Sequence, residues 1–217
     1  MRSIFELCTP RDEVLRGELQ EDIFAARLKD VIENKADPVY GDPRVFYENT
    51  YPTAGLKSLL NDALGRLLGK AAGKNAVIRL ETAFGGGKTH NLIALYHAAS
   101  GRVPESLIRP LLSPDIPLPQ PGQVKTAGVV GFEQDPELGI EHREDGLRTF
   151  TLWGELAYRL GGTTGYDLVK SSDQKKVAPG TGWLETLIGD HPTLIMLDEI
   201  SRHLRVAKAV MTETKAS

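Results

Sequence analysis

AVIRLETAFGGGKTH, residues 76–90, is the stretch that decides the fold. An apolar run (Ala76, Val77, Ile78, Leu80) stops at three consecutive glycines, and Lys88 and Thr89 follow at once. This is the layout of a phosphate-binding loop. Glycines let the backbone turn sharply and aim several N–H groups inward, the lysine reaches the outer phosphates, and the threonine hydroxyl is placed to hold Mg²⁺. The strict form G-x-x-x-x-G-K-[ST] wants glycine where Thr82 stands. A bare G-K-T is common by chance, so the context decides. Residues 76–80 predict a strand, and NLIALYHAA (91–99) carries Leu92, Ile93, Leu95 and Tyr96 at helical spacing. Strand, glycine loop, helix is the order the pattern requires, and the helix start adds its positive end to the same place. The expected nucleotide contacts are Gly85, Gly86, Gly87, Lys88, Thr89 and His90.

TLIMLDEI (193–200) supplies the second half. Four apolar residues run into Asp198 and Glu199, as in a parallel strand buried on both faces whose C-terminal end meets a ligand. Asp198 is expected to hold Mg²⁺ together with Thr89, and Glu199 to orient and deprotonate an attacking water; Glu199 and Lys88 are the expected catalytic residues. The Asp-Glu pair favours an ATPase of the AAA+ and RecA-like type, with ATP and Mg²⁺ as cofactors. Asn34-Lys35-Ala36-Asp37 matches the guanine-reading pattern N-K-x-D, but it follows a charged amphipathic stretch instead of a strand, and Ser201 stands where a GTPase wants glycine.

Composition bounds the alternatives. The chain of 217 residues is 41% hydrophobic and 25% charged, the balance of a soluble globular protein. A net charge of −3 gives no global basic field that would advertise nucleic-acid binding. One cysteine, Cys8, allows no disulfide within the chain, and cysteine and histidine show no metal-ligand spacing. There is no apolar run of membrane-spanning length and no signal-peptide core, so a cytoplasmic protein without a membrane partner is expected.

Along the chain, residues 11–35 predict an amphipathic helix on Leu15, Leu19, Ile23, Ala26 and Val31. Residues 36–52, with Pro38, Gly41, Pro43 and Pro52, predict a loop, whose aromatics Phe46, Tyr47 and Tyr51 are either core or neighbours of a nucleotide base. Thr53 predicts the cap of a leucine-rich helix to about Gly69. Residues 101–123, rich in proline, predict an extended connection, and TAGVVGF (126–132) a second parallel strand. Residues 135–148 predict a surface loop, 151–160 a helix ended by Gly161 and Gly162, and 161–182 a mobile stretch. A short helix over 183–188 and a further helix over 201–210 flank the Asp-Glu strand.

The whole is expected to be an α/β protein, a P-loop NTPase of AAA+-like three-layer type with a parallel sheet. Residues 1–72 form a helical N-terminal segment, 73–210 the ATPase domain and 211–217 a tail. ENTYPTAGLKSLL (48–60), RLETAFGGGKTHNLIALYH (79–97), RTFTLWGELAYRLGG (148–162) and TLIMLDEISRHL (193–204) resemble a family of large prokaryotic AAA+-like P-loop ATPases. That family is known as a domain of unknown function with PglY-like relatives, encoded beside DNA methyltransferases in phage-defence islands. The resemblance carries the glycine-loop and Asp-Glu roles onto Gly85, Gly86, Gly87, Lys88, Thr89, Asp198 and Glu199. It implies DNA or a methyltransferase-associated complex as partner, and an oligomer in the full-length form. Family members are far longer, and in an AAA+ sheet a later strand inserts between the Asp-Glu strand and the glycine-loop strand. The chain is therefore expected to be an N-terminal fragment with an incomplete sheet, either an ATPase module of a larger machine or a remnant that binds without turnover. Arg143, Arg148, Arg202 and Arg205 are read as surface residues and none as an arginine finger.

Overall fold

The computed structural model describes residues 26–70, 75–81, 86–131, 137–201 and 203–206, with positions 9, 15–17, 135 and 208. Its path runs through α1 (Leu28–Ile32), α2 (Pro38–Gly41), α3 (Pro43–Glu48), α4 (Ala54–Leu67), α5 (Lys88–Ala99), α6 (Glu105–Ile108) and a 3₁₀ turn, Arg109–Leu111. Strand β1 (Lys125–Val130), the hairpin β2 (Ile140–His142) and β3 (Leu147–Thr149), helices α7 (Leu152–Asp167), α8 (Lys170–Gln174) and α9 (Gly182–Ile188), and strand β4 (Thr193–Asp198) complete it. Ile200, Ser201 and residues 203–206 resume a helix.

This is a mixed α/β fold around a small parallel sheet. β1 and β4 pair in parallel, Gly128 opposite Met196 and Val130 opposite Asp198. Side chains on a strand alternate between faces; helices pack on both faces, but the burial of β4 on both faces expected from its apolar run is incomplete, with Leu197 45% exposed. Val130, Leu194 and Met196 join a large core with Leu28, Val31, Phe46, Leu60, Leu64, Ile93 and Ala98 from α1, α3, α4 and α5. Ala127, Val129 and Ile195 join a smaller one with Leu152, Leu156 and Leu160 of α7. Gly128 is required by this packing, because a Cβ there would stand 2.1 Å from Ile32 Cδ1. The larger core runs through residues on both sides of position 73, so the N-terminal segment and the sheet-bearing part of the chain share one interior.

The strand expected over 76–80 is not formed. Residues 77–81 lie in no ladder, and Val77 is 83% and Ile78 42% exposed, while Leu80 packs against the large core. A strand persists when its backbone N–H and C=O groups find partners. The edge of β4 away from β1 offers none to this segment, for the sheet has two strands among the described residues.

The outer edge of β1 is closed instead by charge. Arg159 on α7 donates from Nε to Glu155 at 2.7 Å and from its guanidinium to Glu33, at the end of α1, at 3.0 Å. These helices lie on opposite faces, so the pair crosses the edge of β1. The other oxygen of Glu155 accepts from Thr149 Oγ1 at 2.6 Å and from His142 Nε2 at 2.9 Å on the hairpin. Glu155 is 1% exposed, and burial pushes its pKa up. The hydrogen bond from His142, the charge of Arg159 and the Thr149 hydroxyl outweigh that and hold it at about 2.

Four further expectations are corrected. The loop over 36–52 contains α2 and α3, because Asp37 and Asp42 each precede a proline that takes the first helical position. Asp37 accepts from Val39 N, and Asp42 from Arg44 N and Val45 N. The proline-rich connection holds α6 and the 3₁₀ turn, the first set off by Pro104. The polar loop over 135–148 contains the β2–β3 hairpin, whose strands of three residues are too short for a periodicity to show. The mobile stretch is ordered: α7 bends at Gly162 (φ +60, ψ −148) and continues to Asp167, and α8 comes next. Asp173, fully buried, pins it by accepting from the backbone N–H of Phe150 and Thr151, from the Thr151 hydroxyl, and from Tyr166 Oη at 3.0 Å. The capped helix is as expected, with Thr53 accepting from Leu56 N at 3.1 Å. Of the helix expected over 11–35, residues 11–14 and 18–25 lie outside the described residues, as do Cys8, Thr82, Gly85, Arg202 and the tail.

Candidate functional site

The helix after the glycine loop starts where the sequence puts it. Gly87 adopts the left-handed conformation (φ +74, ψ +24) as the residue before α5, with no side chain capping the first turn. A left-handed turn at this point suits glycine, and it leaves the first-turn N–H groups of Lys88, Thr89 and His90 directed out of the helix start. Gly86 and Gly87 are exposed, and Lys88, Thr89 and His90 are half-buried.

Thr89 and Asp198, 109 residues apart, meet: Thr89 Oγ1 donates to Asp198 Oδ2 at 2.9 Å. Asp198, the last residue of β4, is 9% exposed and lies on the face of the sheet that carries Met196 and α5. A hydroxyl and a carboxylate side by side are hard oxygen donors, the set that suits Mg²⁺ when phosphate oxygens and waters complete the shell.

Glu199 is exposed and has φ +55, a left-handed conformation that non-glycine residues rarely adopt. Its surroundings accommodate this turn. Gly131, just past β1, donates its N–H to Asp198 O at 2.8 Å, and a Cβ on Gly131 would stand 2.7 Å from Glu199 O and 2.8 Å from Ile200 Cα. Gly131 therefore lets the backbone of residues 198–200 turn tightly over the end of β1. Sequence reading missed this role, although the glycine ending an apolar strand run in TAGVVGF was the signal.

His90 divides its backbone and its ring between two surroundings. Its backbone N–H belongs to the first turn of α5, but its ring turns toward the N-terminal segment, 4.6 Å between centroids from Phe46 and 3.1 Å from Thr50 Oγ1. Thr50 donates its single hydroxyl proton to Phe46 O at 2.7 Å. The His90 contact is thus a donation from Nε2–H to Thr50, and burial lowers the His90 pKa, so the neutral Nε2–H tautomer fits. His97, seven residues on, also packs against Phe46 at 5.3 Å and donates to Tyr40 O at 2.7 Å, while Tyr47 Oη donates to Ala94 O at 2.8 Å. The i, i+7 spacing of His90 and His97 marked this helix face in the sequence.

Other candidates separate from the site. In Asn34-Lys35-Ala36-Asp37, Asn34 is a left-handed turn residue and Asp37 a helix cap. Arg143 pairs with Glu141 at 3.1 Å, and Arg148 donates to Leu138 O at 2.6 Å. A polar cleft of about 660 Å³ over α1, β2 and α7 lies away from the glycine loop, and three of its lining cations are paired, Lys35 with Glu33, Arg143 with Glu141 and Arg159 with Glu33 and the neighbouring Glu155.

One family model matches, that of the DUF499 N-terminal domain, over residues 5–110 and 130–216. The chain belongs to this family. No curated protein and no solved structure matches it. DUF499 membership covers both halves of the candidate site and brings no activity with it, so function is argued from the geometry. No helix among the described residues is long and apolar enough to cross a membrane.

Proposed function

We propose that this DUF499 chain binds Mg²⁺-ATP on a P-loop NTPase fold of AAA+-like type and hydrolyses it to drive a conformational change in a larger assembly. The observation that carries the reading is the Thr89–Asp198 hydrogen bond. It joins the residue after a G-G-G-K loop to the carboxylate at the C-terminal end of a parallel strand, and hydroxyl plus carboxylate is a Mg²⁺ donor set. When bound, the ion would supply positive charge that offsets the charge on the phosphates. Thr89 and Asp198 would hold it, in place of their present hydrogen bond to each other. Gly86, Gly87 and the first-turn N–H groups of Lys88, Thr89 and His90 would cradle the phosphates, joined by Gly85 and by the Lys88 ammonium. Glu199, one residue beyond Asp198 and exposed, would take the proton of the attacking water. DNA, a methyltransferase-associated complex and an oligomeric full-length form belong to the proposal through the family resemblance alone.

Binding of a fluorescent ATP analogue with Mg²⁺, compared between the unaltered chain and Lys88→Ala, tests the reading. Binding that is lost in the variant supports it; equal binding, or none in either, sinks it. A second reading, binding without turnover, is favoured by the absence of residues 77–81 from the sheet, which leaves the glycine loop without a strand root. Nucleotide binding with no hydrolysis, unchanged by Glu199→Gln, would select it.

A further inference from the structure

We infer that Tyr51 is the platform on which the base of the bound nucleotide stacks, an assignment that rests on the proposed nucleotide site. Three aromatics of the N-terminal segment divide cleanly. Phe46 and Tyr47 are 1% and 5% exposed, built into the core against α5. Tyr51, four residues on, is 81% exposed. An exposed tyrosine is ordinary; its mounting is not. Thr50 is held by His90, the third residue of the helix whose first turn would take the phosphates. Thr53 caps α4 through Leu56 N and donates its own N–H to Tyr51 O at 2.9 Å. Pro52, between them, fixes one backbone angle. Tyr51 thus sits on a short bridge anchored at both ends, one anchor being the glycine-loop helix itself. The backbone that carries the ring is thus fixed before the ligand arrives, so less freedom is lost on binding, while the ring face itself stays open.

Stacking uses the π-face that every base has, so it adds affinity without choosing between bases. The platform accordingly serves ATP and GTP alike and contributes nothing to a ligand that has phosphates but no base.

Calorimetric titration of Mg²⁺-ATP, Mg²⁺-GTP and Mg²⁺-tripolyphosphate into the unaltered chain, Tyr51→Ala, Tyr51→Phe and Lys88→Ala tests this. Tyr51→Ala is expected to weaken ATP and GTP by about ten-fold each, the effect of one lost base stack, with tripolyphosphate unchanged and Tyr51→Phe like the unaltered chain. Loss of ATP and tripolyphosphate affinity by the same factor would overturn the assignment, and so would undiminished ATP binding in Tyr51→Ala. Lys88→Ala separates the two levels: if it binds all three ligands normally, the nucleotide site itself is refuted. If it loses them while Tyr51→Ala keeps ATP, only the platform is.

Discussion

Replacing Glu155 by glutamine perturbs a buried charge while keeping its shape. Glu155 is 1% exposed and accepts from Arg159, Thr149 and His142. Its folded pKa is about 2 against an ordinary 4.5. At about 1.4 kcal/mol per pKa unit, that difference corresponds to ~3 kcal/mol of stability at neutral pH. Because the folded pKa is the lower one, the contribution is complete above pH 4.5 and fades as pH falls toward 2. Glutamine loses it, and its amide N–H₂ must face donors. Urea unfolding followed by the fluorescence of Trp153 and Trp183 is the assay. With a slope of ~2 kcal/mol per M, the midpoint at pH 7 should fall by roughly 1.5 M. The gap between the two proteins should narrow between pH 4.5 and 2. A gap below about 0.5 M at pH 7, or one that widens in acid, would refute the account of β1's edge as closed by an ionised Glu155.

Gly131→Ala should lower thermal stability, since its Cβ would press on the backbone of Glu199 and Ile200; ~1–3 kcal/mol is expected for such overpacking, read as a drop in melting temperature by calorimetry. Gly154→Ala should cost at least as much, because the added Cβ would stand 2.1 Å from Asp173 Oδ1; near-UV circular dichroism of the neighbouring Trp153 would report the displacement. Thr53→Ala should cost about 1 kcal/mol through the lost cap of α4, and Thr53→Ser should restore it in the same urea titration.

Legibility in the sequence depends on the range of the forces involved. Strands β1 and β4 and helices α4, α5 and α9 announce themselves through local patterns, an apolar run, a capping threonine or a leucine face. The glycine loop and the Asp-Glu pair are legible because each packs its chemistry into a few adjacent residues. The partners that position them are not. Nothing local says that Gly131 will lie under Glu199, that Phe46 will sit between His90 and His97, or that Arg159 will reach Glu33 at a separation of 126 residues. The two Asp-Pro pairs mislead for the opposite reason: proline reads locally as a breaker, while the aspartate before it makes it a helix start. The strand at 76–80 has the right local pattern and fails for want of a neighbour, since strand formation is a property of a pair.

That failure identifies what holds the candidate site together. Were the glycine loop rooted only by its own strand, Thr89 would have no reason to meet Asp198. It does so because α5 is docked: Ile93, Ala94, Leu95, Ala98 and Ala99 are all within 4% of full burial, in the same core as Met196 of β4. The helix carries its first turn to the end of β4 as a rigid arm, and α3 with the turn after it braces it from the other side through Phe46, Tyr47 and Thr50. Burying an Ile or Leu side chain contributes ~1.5–3 kcal/mol, so this docking outweighs the single hydrogen bond between Thr89 and Asp198, typically ~1 kcal/mol or somewhat more with a charged acceptor. The hydrogen bond reports the arrangement, and helix packing causes it. The N-terminal segment is on this account a structural part of the site, because it holds the helix whose first turn presents Lys88, Thr89 and His90.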